Sequence, residues 1–493
     1  MPEKSVQTDR PAPTANATLS LLLPLSGPNA EIGRQFWDAA VLALFDSGRD
    51  DVVLAPHDTQ GTPAGAAVAA EAAVRSGADA VVGPLFSSSV SAAKPILAAS
   101  GKRGIALSNN RAVAGAPYFL IGNHPETQMD ALVSYLGVSD RRRIVLFGPD
   151  TPYLQLLRER LSLLDQEGKI RLVDTRLYRN GASYTDISKD VRAITLYDRR
   201  AAALKEFTAI FSDSWQSRED PEEAMQAALD RLSGRMEKAR THLASYSPEV
   251  RIDRKGWIVT DAEYSAAQSE LLQLYNKQLR TGKSPREAMG EAVKEFQLRE
   301  TLGQVDFDAV LLPIGDKPLL VIAPMFEYFN ASQPNVWLLG TDVWESAAHQ
   351  LPKDLQGSRY VSPTSRQWES FRSRFAAAFG SAPLPLAATA YDAVRVAIAE
   401  RQESGQLAFE ESFVTRQAGF EGVNGRFRFL PGGFNERTLQ IVELRKGGPA
   451  DVFTWEPDQP AVSPVPAPGG PVEQPVQPVP PVSSLGYVRA GNS

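Results

Sequence analysis

The sequence has no cysteine and only four histidines among 493 residues. The absence of cysteine excludes disulfides, thiolate metal sites and a cysteine nucleophile. The four histidines lie far apart in the sequence, which is not the clustered pattern of a histidine-based metal site. Neither a metal nor another cofactor is therefore predicted.

Long apolar runs and an excess of basic residues are also missing. No run is long enough to span a bilayer, and the net charge of −6 argues against a nucleic-acid partner. The sequence contains no GxSxG, HExxH or CxxC motif, and no Lys-Ser/Thr follows Gly27 and Gly33 as a phosphate loop requires. An enzyme is therefore not predicted. With 43% hydrophobic and 22% charged residues, the chain has an ordinary globular composition and the length of two or more compact units.

Short apolar strands alternate with amphipathic helices along most of the chain. Such alternation predicts an α/β fold in which parallel sheets are covered by helices on both faces. The last compact segment, 420–444, is punctuated by glycine and predicts a hairpin or a meander. The predicted strands are 17–24, 51–55, 80–82, 104–107, 143–147, 171–178, 308–314 and 336–339. The predicted helices that follow them include 32–45, 63–76, 128–136, 153–165, 186–192, 319–330, 366–379 and 387–400.

The alternation is interrupted from 196 to 304, where charge and helix-forming residues predict a helical insertion with a short strand at 256–260. Amphipathic helices such as 222–243 either bury one face on the parent lobe or present a surface to a partner protein. Residues 1–16 are predicted to be a disordered leader, and 456–493 a disordered proline-rich tail.

Two predicted strands that neighbour each other in the sequence end in hydroxyl and amide side chains. Three serines follow the strand 80–82, and a serine and an asparagine follow the strand 104–107. A helix that begins at such a strand end favours an anion such as a carboxylate, because its first N–H groups are unpaired. The alternative is that the serines simply cap the helix. The candidate ligand-binding residues are Ser87, Ser88, Ser89, Ser108 and Asn109.

Several sequence blocks occur in a family-specific order: PLSGPNAEIG, DTQGTPAGAAVAAEAAV, DAVVGPLFSSSVSAAKPIL with IALSNN, FDAVLLPIGDKPLLVIAPMFEYFN with WLLGTD, and ATAYDAVRVAI. Together they resemble the type I periplasmic binding protein family in its leucine-binding-protein branch. The resemblance implies two doubly wound parallel-sheet lobes, joined by a three-crossing hinge, that close on a small ligand. It implies a first lobe of 17–123 plus 364–425 and a second of 124–363 plus 426–455, with the insertion in the second lobe.

The resemblance also assigns roles to individual residues. In leucine-type receptors, the groups that correspond to the serines and Asn109 hold a substrate α-carboxylate. Tyr153 matches an aromatic residue that stacks on the ligand, although it is equally consistent with a surface position at a helix start. A bound amino group would need an acidic partner on the second lobe, and Asp316 and Asp342 are the candidates. Asp316 beside Lys317 is also typical of a solvated turn.

One subgroup of the family shares the IAPMFEYF and LQGSRYVSP segments more closely: the penicillin-binding protein activators. These are outer-membrane lipoproteins that contact a peptidoglycan synthase. The resemblance therefore implies a non-enzymatic periplasmic protein that docks on such a synthase and regulates cell-wall synthesis. Its anchor would need a signal peptide and a lipid-bearing cysteine ahead of this sequence. The alternative is the solute receptor of an ABC importer for branched-chain or other amino acids, with an ABC permease as its partner.

Overall fold

The computed structural model describes residues 16–216, 223, 227, 230–231, 250–252, 258–345, 355–363 and 367–457. Within these ranges, no helix combines the length and apolar character needed to cross a membrane. The strands are β1 (Ala17–Leu23), β2 (Val52–Asp58), β3 (Ala80–Val82), β4 (Gly104–Ala106), β5 (Tyr118–Leu120), β6 (Arg143–Pro149), β7 (Arg171–Tyr178), β8 (Val250–Ile252), β9 (Ile258–Thr260), β10 (Ala309–Leu311), β11 (Trp337–Gly340), β12 (Arg359–Ser362), β13 (Phe420–Gly422), β14 (Gly425–Phe429), β15 (Asn435–Arg437), β16 (Leu439–Arg445) and β17 (Gly448–Trp455).

Helices connect most of these strands. They are α1 (Ala30–Ser47), α2 (Pro63–Arg75), α3 (Ser87–Ser100), α4 (Pro125–Val138), α5 (Pro152–Gln166), α6 (Tyr184–Ile194), α7 (Tyr197–Gln216), α8 (Asp261–Leu279), α9 (Pro285–Gln297), α10 (Asp316–Tyr328), α11 (Gln367–Phe379), α12 (Ala388–Ser404) and α13 (Glu411–Val414).

The first lobe is built on a five-stranded parallel sheet with the order β2-β1-β3-β4-β5. Strand β1 lies between β2 and β3 and is almost fully buried, which explains its nearly continuous apolar sequence. Helices α1, α11 and α12 cover one face of the sheet, and α2 and α3 cover the other. Their small alanine side chains let these helices pack closely on the strands. The strand order is that of a doubly wound fold.

The second lobe contains a seven-stranded sheet with the order β17-β16-β12-β11-β10-β6-β7. The strands from β12 to β7 are parallel, whereas β16 and β17 extend the sheet in antiparallel pairing. Helices α4 and α5 cover one face, and α6 and α10 cover the other. Both lobes therefore have the α/β architecture that the sequence predicts.

The chain passes between the sheets at three places. The first passage is 121–124, between β5 and α4, and the second joins β12 to α11. Strands β13 to β15 form a small antiparallel sheet whose phenylalanines join the first lobe's core, so the third passage lies at Thr438. The sequence places this passage earlier, after residue 425. The difference arises because the sequence predicts a single meander, whereas the structure divides it between the two lobes.

The insertion has its own hydrophobic cluster, formed by α7, α8 and α9. The rings of Phe207 and Phe296 lie 5.5 Å apart at its centre. The predicted strand at 256–260 appears as β9, which pairs with β8. The predicted helix 222–243 lies almost wholly outside the described residues. At the base of the insertion, the buried Arg200 donates hydrogen bonds to the carbonyl groups of Leu302 and Asn330.

Candidate functional site

The first lobe's candidate residues begin where β3 ends. Gly83, with a φ of +93°, turns the chain toward α3, and a Cβ at this position would lie 2.2 Å from the carbonyl oxygen of Leu22. The N-cap of α3 is Phe86, which makes no side-chain capping hydrogen bond. The serines therefore lie inside the first turn of the helix, and the alternative expectation that they cap it is wrong.

The three serines differ in their exposure. Ser87 is half-buried, Ser88 is exposed and Ser89 is fully buried. The Ser89 hydroxyl has no hydrogen-bond partner among the described residues. A buried hydroxyl without a partner is unfavourable unless another group satisfies it. The start of α3 thus combines unpaired backbone N–H groups with hydroxyls, which is the chemistry that favours a bound anion.

The second polar strand end follows β4 and lies against the first passage between the lobes. The buried Ser108 accepts a hydrogen bond from the backbone N–H of Asn110 at 3.3 Å. Asn109 is exposed, and its carbonyl oxygen lies 2.9 Å from Nδ1 of His124. Gly122 permits this approach, since a Cβ there would lie 2.5 Å from the Ser108 carbonyl oxygen. Because β3 and β4 are neighbours, the structure brings both polar strand ends to one edge of the sheet.

Tyr153 lies at the start of α5, after β6. Its hydroxyl donates a hydrogen bond to Oγ1 of Thr341 at 3.0 Å, and the residue is half-buried. Burial raises the pKa of the Tyr153 hydroxyl, and the nearby Asp342 adds to this effect. The cap of α5 is supplied by Thr151, which accepts from the N–H of Leu154 at 3.3 Å. Tyr153 is thus tied by its hydroxyl to the end of β11, two strands away in the sheet, while its stacking role stays a prediction.

Asp342 follows β11 and is held by Asn123 of the first passage and by Gln128 of α4. Nδ2 of Asn123 donates to Oδ2 of Asp342 at 3.2 Å, and the Asp342 N–H donates to Oε1 of Gln128 at 3.1 Å. Burial raises the pKa of the Asp342 carboxyl, although the hydrogen bonds of Asn123 and Gln128 and the charge of Arg437 oppose this shift. The carboxylate is therefore part of an internal polar network.

Asp316, the other acidic candidate, is the first residue of α10. It is exposed and has a φ of +48°. The adjoining Gly315 lies close to the end of β11, since a Cβ there would be 2.8 Å from the carbonyl oxygen of Val343. Asp316 and Asp342 thus lie at adjacent strand ends, because β10 pairs with β11. The first is exposed to water and the second is held within the protein.

The polar network continues into the hinge through residues that the sequence analysis missed. The fully buried guanidinium of Arg437 donates to the carbonyl oxygens of Ile121 and Asn424, each at 2.8 Å. Burial lowers the pKa of Arg437 to about 10, although the carboxylates of Asp392 and Asp342 oppose this shift. Arg437 thus connects the first and third passages and carries a positive charge between two acidic residues.

Asp392, in α12, accepts hydrogen bonds from the backbone N–H groups of Val423 at 2.8 Å and Asn424 at 3.4 Å. Burial raises the pKa of Asp392 to about 6, against the opposing effect of those N–H groups and Arg437. A sequence signal was available, since Asp392 lies in the otherwise apolar segment ATAYDAV. An acidic residue in such a segment indicates either a buried ion pair or a functional site.

His124 completes the hinge network. Burial lowers the pKa of its imidazole to about 3, so the ring is neutral at physiological pH. Its Nε2 lies 3.2 Å from Nδ2 of Asn435, and Nδ2 also donates to the carbonyl oxygens of Leu120 and Gly122. The groups at the first lobe's strand ends are hydroxyls, an amide and backbone N–H groups. This arrangement can hold and orient a small anion by hydrogen bonding.

Known proteins are similar to this chain in part of the sequence and in the fold. A sequence profile described as a periplasmic binding protein matches residues 17–197. No curated protein matches the sequence significantly. A crystal structure of a putative branched-chain amino acid ABC transporter protein from Rhodospirillum rubrum is 14% identical, with a TM-score of 0.56, and the match covers 89% of this chain and 100% of that one.

Two further solved structures are similar. The leucine-, isoleucine-, valine-, threonine- and alanine-binding protein from Brucella ovis is 11% identical, with a TM-score of 0.56, over 89% of this chain and 95% of that one. A solute-binding protein of an ABC transporter from R. palustris, in complex with benzoate, is 12% identical, with a TM-score of 0.51, over 89% of this chain and 96% of that one. The chain thus has the fold of the type I periplasmic binding proteins.

Proposed function

We propose that this chain is an extracytoplasmic solute-binding protein that closes its lobes on a small carboxylate and delivers it to an ABC permease. The observation that carries this proposal is the start of α3, where three serines are present but none caps the helix. The chain does use serine and threonine as caps elsewhere, at Thr62, Thr151, Ser183 and Ser284. The uncapped N-terminus of α3 therefore has N–H groups available for a carboxylate.

The similar solved structures support the same ligand chemistry. The protein from Brucella ovis is named for binding leucine, isoleucine, valine, threonine and alanine, and the one from R. palustris is in complex with benzoate. These ligands share a carboxylate and differ in almost everything else. A periplasmic location follows from the proposal. A function without catalysis also follows, because the strand ends offer groups that hold a ligand and supply no nucleophile–base pair.

The test is a thermal-shift titration of the full chain with small carboxylates. A ligand that binds the folded state raises the melting temperature, and at 100 times the Kd the stabilisation is about 2.7 kcal/mol. Ser87→Asp adds a negative charge that suits the start of a helix and repels a carboxylate there. We expect at least one carboxylate to stabilise the wild type and to bind Ser87→Asp at least tenfold more weakly.

The matched control is Ser284→Asp, which places the same charge at the start of α9, in the insertion. This variant should respond to the ligand as the wild type does. A carboxylate that binds Ser87→Asp and the wild type equally would contradict the assignment of this site. The absence of any responding carboxylate would contradict the proposed function.

A second candidate function, docking on a peptidoglycan synthase in the manner of the penicillin-binding protein activators, is favoured by one observation. The insertion packs around its own hydrophobic cluster and leaves Leu298, which directly follows α9, 83% exposed. An exposed leucine on a separate folded unit suits contact with another protein. The partner would then be a class A penicillin-binding protein of the source organism.

This candidate is tested by titrating the full chain with that synthase's periplasmic domain. Leu298→Asp should weaken the complex at least tenfold. Phe45→Asp is the matched control, because Phe45 is equally exposed, at 82%, but lies on α1 of the first lobe. No binding by the wild type, or equal loss in both variants, would contradict docking through the insertion.

A further inference from the structure

Buried polar atoms without a hydrogen-bond partner are concentrated where the chain passes between the lobes. Among the described residues, nine buried side-chain nitrogen or oxygen atoms have no partner, and five of them lie around the first and third passages. These five are Nε of Arg111, Oδ1 of Asn123, Oε2 of Glu126 and both amide atoms of Asn424. A buried polar group without a partner is unfavourable, so each one calls for a physical reason.

Two of these five atoms are a complementary donor and acceptor. Nε of Arg111 carries an N–H, and Oε2 of Glu126 is a carboxylate oxygen, but the two atoms are 3.8 Å apart. An N–H···O hydrogen bond needs about 2.7–3.2 Å between its heavy atoms. An approach of about 1 Å would therefore give both atoms the partner that each lacks.

Arg111 and Glu126 belong to different lobes. Arg111 begins the short helical turn Arg111–Val113, which lies between β4 and β5 of the first lobe. Glu126 is the second residue of α4, the helix that begins the second lobe. The distance between the two side chains therefore depends on how α4 sits against the first lobe.

The guanidinium of Arg111 is held on two sides. Its Nη2 donates to Oγ1 of Thr127 in α4 at 2.6 Å, and its central carbon lies 4.8 Å from the centre of the Phe434 ring. The loop that carries Phe434 is tied to the first lobe, because the N–H of Leu120 donates to the carbonyl oxygen of Gly433 at 2.7 Å. Since the bond to Thr127 is already short, a rotation of α4 about this contact would bring the neighbouring carboxylate within bonding distance.

We infer that Arg111 and Glu126 form a latch between the lobes, which is unmade in this structure and forms when α4 rotates against the first lobe. The inference rests on the proposed function in one respect, because it takes the lobes to move relative to each other. A bond that is made in only one arrangement of the lobes favours that arrangement. Loss of either partner should therefore shift the protein toward the arrangement in which the latch is unmade.

The experiment is a double-mutant cycle in which the distance between the lobes is measured by electron spin resonance. The chain has no cysteine, so Phe45→Cys on α1 and Leu163→Cys on α5 give one exposed spin-label site on each lobe. Arg111→Gln, Glu126→Gln and the double variant are made in this background. We expect each single substitution to change the ratio of the two arrangements by about fivefold or more, and the double variant to change it no further.

Arg160→Gln is the matched control, because Arg160 pairs with Asp130 at 2.8 Å within the second lobe. This variant should keep the wild-type distance distribution. A distribution that Arg111→Gln and Glu126→Gln leave unchanged, or effects that add in the double variant, would overturn the latch. If Arg111→Gln fails to fold, Glu126→Gln decides by itself whether the distribution shifts, because it keeps the shape of the side chain.

The distance measurement needs no ligand, so its outcome is separate from the carboxylate titration. A titration without any responding carboxylate would contradict the proposed function and leave a measured shift of the lobes in place. An unchanged distribution beside a responding carboxylate would remove the latch and leave the solute-binding function standing.

Discussion

The polar strand ends of the first lobe carry hydroxyls and amides, those of the second lobe carry hydroxyls and acids, and the two sets are organised differently. In the first lobe, the helix after β3 begins without a cap, and a buried serine hydroxyl has no partner among the described residues. In the second lobe, Tyr153 bonds to Thr341, and Asp342 bonds to Asn123 and Gln128. The difference therefore concerns particular side chains: the Ser89 hydroxyl is unpartnered among the described residues, whereas Tyr153 and Asp342 are bonded within the protein, although α10 also begins without a side-chain cap.

This difference shows that a polar residue at a strand end is not by itself a ligand-binding residue. What matters is whether the rest of the chain already satisfies it. In the second lobe, Asp342 bonds to Asn123 and so stabilises the first passage, while Tyr153 bonds to Thr341 at the end of β11. The Ser89 hydroxyl has no such partner among the described residues, and we propose that a ligand supplies it. Four substitutions test this difference between the lobes.

Arg437→Met should destabilise the protein by about 3–5 kcal/mol, because it leaves two buried carboxyl groups without their cation. The measurement is the free energy of unfolding from urea denaturation at pH 7. Arg445→Met is the control, since Arg445 is partly exposed on β16 and its pair with Glu443 is at 3.4 Å. That variant should lose less than about 1 kcal/mol. Equal losses in the two variants would show that the hinge network is not organised around Arg437.

Asp392→Asn tests the same network through the pH dependence of the free energy of unfolding. The folded-state pKa of Asp392 is raised to about 6 from an ordinary 3.8, so the folded protein binds this proton more tightly than the unfolded chain does. The contribution of Asp392 to the free energy of unfolding is therefore fully present below pH 4 and is lost as the pH rises through 6. The wild type should lose up to about 3 kcal/mol relative to Asp392→Asn between pH 4 and pH 7. A difference that stays constant with pH would contradict this assignment.

Ser89→Ala should stabilise the ligand-free protein by about 1 kcal/mol, because it removes a buried hydroxyl without a partner. The same substitution should weaken carboxylate binding. Ser183→Ala is the matched control, because Ser183 caps α6 by accepting from the N–H of Asp186 at 3.2 Å. Its loss should destabilise the protein by about 1 kcal/mol. Thermal unfolding should show a higher melting temperature for Ser89→Ala and a lower one for Ser183→Ala. Destabilisation by both substitutions would show that the Ser89 hydroxyl already has a hydrogen-bond partner in the folded protein.

Tyr153→Phe should have the smallest effect, a loss of about 0.5–1.5 kcal/mol of stability from the missing bond to Thr341. The ring remains, so the affinity for a carboxylate with an apolar body should not change. Tyr153→Ala, in contrast, should weaken that binding at least tenfold. Calorimetric titration of both variants separates the ring from the hydroxyl. Equal affinities in Tyr153→Ala and the wild type would rule out a stacking role.

The alternation of strands and helices was predictable from the sequence because it depends on local periodicity. The strand Arg171–Tyr178 has the predicted bounds, and the predicted strand 143–147 appears as β6. The antiparallel extension by β16 and β17 was not predictable, since nothing local shows which lobe a late hairpin joins. The same limit applies to β13 to β15, which pack on the first lobe.

For the candidate site, the sequence predicted only the types of the polar residues and their positions at the ends of strands. The partner that engages Asp342 lies far away in the sequence, with Asn123 separated from it by 219 positions. No local pattern pairs residues at that separation. The caps illustrate the same point, because three consecutive serines predict a capped helix, while the cap position is taken by Phe86. Sequence periodicity determines the elements, and long-range contacts decide which polar groups remain available.

The two ends of the long insertion in the second lobe lie next to each other at Arg200. The backbone N–H of Leu302 donates to the carbonyl of Arg200 at 3.0 Å, so the two ends of the insertion meet at one point. For the sheet, the connection from α6 to β10 therefore has the geometry of a short loop, and the entropic cost of bringing its two ends together grows only slowly with the number of inserted residues. The insertion is a side branch whose length can change without altering the register of the seven strands.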